Sequence, residues 1–206
     1  MMKFFFGEQR RLGDIMKIYL IVVMLCAGVL VMAGYKAWQW VDDRQAQEET
    51  SALDLTADWT PAAQFAARLM ISRYGPPQEM SPIEFNWHNH WPWKSITVRN
   101  DPKAPLKESV VYEVPPDKLS ALQRFQHGPL VFPKNSELVA SSDREMLNRL
   151  SLNLAHDIAT GKRTPQEADR FFIRTVRLSE SGKSSPYLER LLFPVPAQTP
   201  HTYPYL

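Results

Sequence analysis

The chain has 206 residues, with 24 basic and 22 acidic side chains, 17 prolines and a single cysteine. One cysteine excludes a disulfide framework, a CxxC redox pair, a CxxCH haem attachment and a thiolate zinc cage. Lys3, Arg10, Arg11 and Lys17 stand against Glu8 and Asp14 in the first 17 residues, so the rest of the chain has no net charge. It lacks the cationic surplus that phosphate binding needs, and nucleic acid is not expected as a partner.

Residues 1–17 read as a cytoplasmic N-terminus, and IYLIVVMLCAGVLVMAGY, from Ile18 to Tyr35, is free of charged side chains. A helix of this length rises roughly 27 Å, close to the ~30 Å hydrocarbon layer, which predicts a transmembrane helix over residues 18–38. Lys17 on the near side and Tyr35, Trp38 and Trp40 on the far side are the expected bilayer anchors. The basic residues that precede the run place the N-terminus in the cytoplasm and the remainder outside, as in a single-pass protein of a bacterial inner membrane with a periplasmic domain. Val31-Met32-Ala33 is a competing signal-peptidase signature, though the apolar run exceeds the ~7–15 residues of an ordinary signal core. Ala27, Gly28, Ala33 and Gly34 offer small surfaces to another membrane helix.

Residues 39–58 are polar and acidic and read as a continuation of the membrane helix that frays into a linker. The folded unit is expected over 59–180. Thr60-Pro61 is an N-cap with proline at the first helical position, Phe65, Leu69 and the alanines between them supply an apolar face up to Tyr74, and Gly75-Pro76-Pro77 ends the helix. Ile83, Phe85 and Trp87 then alternate with polar residues, as do Ile96 and Val98, and Val110, Tyr112 and Val114; three such runs predict an antiparallel meander with a turn at residues 90–92. A short helix with Leu119, Leu122 and Phe125 inward follows, then PLVFP, an edge-strand candidate with proline at both ends. Ser142 and Glu145 match a capping box ahead of Leu147, Leu150, Leu154 and Ile158, and Gly161 closes that helix. Thr164-Pro165-Gln166-Glu167 is a second capping box, leading Ala168, Phe171, Phe172 and Val176. The expected fold is α+β: a small antiparallel sheet with helices on one face and a C-terminal helical hairpin. Residues 181–206 read as a Pro-rich extended tail held by a partner.

His88 and His90, in Trp-His-Asn-His-Trp-Pro-Trp, are the candidate metal ligands of an alternative reading as a periplasmic metal-binding protein or enzyme. Trp91 and Trp93 are candidate partner contacts, together with Phe193, Pro194, Tyr203 and Tyr205 in the tail. His156 beside Asp157 in a helix is not a base and its orienter, since adjacent helical residues face apart. The chain has no P-loop, G-x-G-x-x-G, G-x-S-x-G or H-E-x-x-H motif, and no cofactor is expected.

The stretches SRYGPPQEMSPIEFNWHNHWPWK and LNLAHDIATGKRTPQEADRFF resemble a small domain of uncharacterised bacterial cell-envelope proteins, across residues 59–177. That resemblance implies a compact domain and carries no catalytic residue. The expectation is a single-pass accessory or assembly subunit of a larger inner-membrane complex, photosynthetic or respiratory, without catalytic activity of its own. Its partners would be the lipid bilayer and other membrane subunits, reached through the membrane helix and the tail. A membrane-anchored envelope binding module is the other alternative.

Overall fold

The computed structural model describes residues 24, 31–32, 35–128, 130–131 and 136–196. Most of the expected 18–38 span lies outside the described residues, as do Lys17, Tyr203 and Tyr205. Among the described residues no helix is long and apolar enough to cross a membrane. The chain divides into two units, Met1–Glu48 and Glu49–Leu206. In the first, residues 35–48 are helical, with Tyr35, Trp38 and Trp40 exposed and Arg44 lying over the Trp40 ring and pairing with Glu48.

The second unit opens with helical residues 49–55 (α1) rather than a free linker. Ala52 and Thr56 are buried in its core, and Gln64 Nε2 lies within hydrogen-bond distance of the Thr56, Ala57 and Trp59 carbonyls. Helix α2 (Pro61–Tyr74) starts on the predicted cap, the Thr60 side chain accepting from Ala63 N–H, and ends at Gly75 with φ 77°. At that angle a side chain would strain the backbone, so glycine is the residue the turn requires. The buried face of α2 agrees with expectation at Ala66 and Ala67 and differs elsewhere: Ala63, Met70 and Ile71 also face inward, while Phe65 is exposed. Three of the five inward residues are alanines, whose small side chains let the helix approach the sheet closely.

The sheet has six strands in the order β1-β2-β3-β4-β6-β5, and each neighbouring pair is antiparallel. The predicted meander is its centre: β2 (Glu84–His90), β3 (Trp93–Arg99) and β4 (Leu106–Val111). Ile83 precedes β2 and is exposed. Two strands escaped the sequence reading: β1 (Glu79–Met80) at one edge and β6 (Glu137–Ser142), which inserts between β4 and β5 (Leu130–Val131). Leu130–Val131 of the PLVFP segment form the other edge, as β5. The inward rows, Phe85–Val98–Leu106 and Trp87–Ile96–Glu108–Ala140, follow from the register and are buried throughout.

Two helices cover this face. Helix α2 packs on β2 and β3, and α4 (Glu145–Ala159) packs on β4, β5 and β6. Between β4 and β5 run a 3-10 turn (Pro116–Lys118) and α3 (Leu119–Gln123), which bury Leu122 and Phe125 but leave Leu119 exposed. The capping box expected at Ser142 does not form. Ser142 ends β6 with its hydroxyl on the Arg144 backbone, and Glu145 is drawn into the core by Arg73, Arg149 and Tyr74. The second box does form: Thr164 accepts from Glu167 N–H and the Glu167 carboxylate accepts from Thr164 N–H, starting α5 (Pro165–Glu180).

The folded unit continues past residue 180. Ser185 caps α6 (Pro186–Glu189), and Leu188 and Phe193 are buried against α4, so residues 181–196 belong to the domain and are not an extended tail.

Candidate functional site

Trp91 and Pro92 form the two-residue turn between β2 and β3, in register with His90 opposite Trp93. Asn89 just before it has φ 58°. That positive angle reverses the side-chain alternation, so His90 and Trp93 turn toward α2. The His90 ring stands edge-on to Tyr74 at 5.5 Å, and Trp93 Nε1 donates to the Tyr74 hydroxyl at 2.9 Å. Trp93 is fully buried and takes part in the core. Trp91, by contrast, is 68% exposed at the apex of the turn.

His88 stays on the outer face of the sheet, its Nε2 3.4 Å from Glu79 Oε1, while His90 Nε2 lies 2.9 Å from Gln78 Nε2. Burial and the neighbouring His88 hold His90 below the usual imidazole value. The two histidines therefore point to opposite sides of the strand and do not converge. Among the described residues no group of three or more His, Cys, Asp or Glu side chains is placed to hold a metal ion.

Beside the Trp91 turn, the C-terminal segment completes a groove of about 560 Å³. Trp91, Pro92, Leu191, Phe193, Pro194 and Val195 supply its apolar wall, and Arg149, Glu189 and Arg190 its charged part. Phe193 forms the inner part of that wall: it is buried, stacked on His156 at 4.9 Å and edge-on to Tyr112 at 5.3 Å. Pro194 is exposed at the rim. His156 Nδ1 meets the Tyr112 hydroxyl at 2.9 Å, and burial lowers its pKa despite the opposing pull of Asp157. The Tyr112 hydroxyl is pushed up by burial.

Three polar residues of α4 hold the segment that builds the groove. Asn153 Nδ2 donates to the Tyr187 and Arg190 carbonyls, and its Oδ1 accepts from Leu192 N–H. Arg149 donates to the Glu189 carbonyl at 3.1 Å while pairing with Glu145. Asp157 takes Arg163 and the Tyr187 hydroxyl on Oδ2, and Lys162 on Oδ1. Burial works to raise the Asp157 carboxyl, but these hydrogen bonds outweigh it and hold it below the ordinary value.

Sequence reasoning missed Glu108, Asn148 and Asn153, and gave Glu145 the role of a helix cap. Glu108 carried a usable signal, since it shares the period-two phase of Leu106 and Val110. Asn148 and Asn153 carried none, because α4 is buried nearly all round and polar side chains on such a helix find partners that adjacency in sequence does not reveal. No protein-family model, no curated protein and no solved structure matches this chain.

Proposed function

We propose that this protein is a single-pass accessory or assembly subunit of a bacterial inner-membrane complex, its N-terminus cytoplasmic and its α+β unit periplasmic. The uncharged run of residues 18–35 behind a basic N-terminus supports the anchor and its orientation. The observation that carries the partner-binding part is Trp91: a large aromatic side chain, 68% exposed, on a tight turn at the mouth of an apolar groove. Rigid aromatic residues beside a concave apolar surface are the usual anchors of protein interfaces, and a proline-walled groove suits an extended segment of a neighbouring subunit.

The test is extraction of the full chain from membranes in mild detergent, followed by native mass measurement and identification of the chains that travel with it. Migration in a larger assembly, reduced by Trp91→Ala without loss of fold, supports the proposal. Migration as a free monomer, or release of the protein from membranes by alkaline carbonate, removes it.

A further inference from the structure

The inward face of β4 carries a group that neither the anchor nor the groove employs. Glu108 is fully buried, with Ile96 of β3 and Ala140 of β6 as its strand neighbours and α4 above it. A lone ionised carboxylate in such a place costs several kcal/mol. Its hydrogen-bond partner is Asn148, whose Nδ2 donates to Glu108 Oε2 at 2.8 Å and to the Leu106 carbonyl at 3.1 Å. A backbone carbonyl can only accept, so the Leu106 contact identifies this end of the amide as the nitrogen and the other end as the oxygen. Among the described residues, Asn148 Oδ1 and Glu108 Oε1 both lie buried without a donor.

Two acceptors orphaned on the same two hydrogen-bonded side chains have a common remedy. One proton on Oε1 turns the carboxyl into a donor, the amide oxygen becomes its acceptor, and the pair closes through one N–H···O and one O–H···O bond. We propose that Glu108 is kept in the folded protein as a neutral carboxylic acid, paired through both oxygens with the Asn148 amide as a protonated clamp between β4 and α4.

The surroundings agree. Strands β3 and β6 present apolar Ile96 and Ala140. Helix α2 brings Arg73 and Tyr74, and α4 brings Glu145 and Arg149. Both arginines pair with the single carboxylate of Glu145, so a net positive charge remains near Glu108 and by itself favours the ionised form. Burial outweighs the Asn148 hydrogen bond and the pull of both arginines, and pushes Glu108 up to about 7.

The clamp bears on the groove, because α4 also carries Arg149 and Asn153, which seat the C-terminal segment. The stabilisation from the bound proton is complete below the ordinary carboxyl value of 4.5 and is lost as pH rises to about 7, beyond which it changes no further. Above neutrality a carboxylate faces the amide oxygen, and the seam between sheet and helix loosens.

The experiment compares unfolding of the full chain in detergent with that of Glu108→Gln, whose amide reproduces the donor and acceptor of the protonated acid. Between pH 4.5 and about 8, the folding constant of the unmodified protein is expected to fall roughly 100-fold more than that of the variant. Infrared difference spectra near neutral pH should show a buried protonated-carboxyl C=O band that the variant lacks. Equal pH dependence in the two proteins overturns the proposal. So does absence of the band, the result expected if an enclosed water satisfied an ionised Glu108. A Glu108→Gln protein that fails to fold also overturns it, since glutamine supplies the hydrogen-bond pattern the clamp requires.

Discussion

Asn153 directs both ends of its amide to the backbone of residues 187–192, which makes it the residue on which the C-terminal segment hangs. Replacing it with alanine removes three hydrogen bonds and leaves three part-buried backbone groups without that partner. Asn153→Ala is expected to cost about 2–3 kcal/mol and to speed amide exchange in residues 186–193 well before the sheet opens, as followed by hydrogen-exchange mass spectrometry. Asp157 plays the related part at the end of α4, gathering Lys162, Arg163 and Tyr187. Its folded-state pKa is depressed, so its stabilisation is present above the unfolded value and is lost as pH falls through the folded one. Asp157→Asn should therefore lower stability at neutral pH by about 2 kcal/mol and flatten the acid limb of a Tm-against-pH curve. A variant as acid-sensitive as the parent would exclude this role. The partnerships with residues 187–192 were not legible from neighbours in sequence, because each joins residues 30 to 39 positions apart.

For elements, legibility depended on whether a local rule had a tertiary competitor. Thr164 had none: the cap, the proline at the first turn and Glu167 three residues on produce the predicted start of α5. Thr164→Ala is expected to cost about 1 kcal/mol in a denaturant titration, with little change in the groove. Ser142 and Glu145 follow the same local pattern, yet Glu145 lies beside two guanidinium groups and the Tyr74 hydroxyl in the core, and those interactions override the cap. Helix α2 shows a similar contest between side-chain size and distance. Phe65 has the stronger hydrophobic signal, but the alanine face permits the closer approach to the sheet, and Phe65 is left exposed. Strand β6 was missed for a different reason. ELVASS alternates inward Leu138, Ala140 and Ser142, but two of those side chains are too small or too polar to stand out as a hydrophobic stripe.

At the level of the whole molecule, the groove exists because the last described residues return to the turn between the first long strands. Trp91 and Val195 are 104 positions apart and share one wall. Trp91→Ala, a truncation of an exposed side chain, is expected to leave Tm within about 1–2 °C of the parent while weakening association with other subunits. A large loss of stability instead would recast Trp91 as a core residue.

Composition and local pattern determined the charge asymmetry of the chain, the uncharged run of residues 18–35, the α+β class, the central meander and the ends of several elements. Each of these depends on residues within a few positions of one another, where spacing and capping decide the outcome. Tertiary structure alone decided that Trp93 is enclosed and Trp91 is not, that His88 and His90 diverge, that residues 181–196 belong to the folded unit, and that Glu108 and Asn148 meet in the core. The physical reason is common to all four. Burial and hydrogen-bond partners across the sheet–helix seam are set by elements distant in sequence, and a chain read locally shows which side chains are polar but not which of them will be taken out of water together.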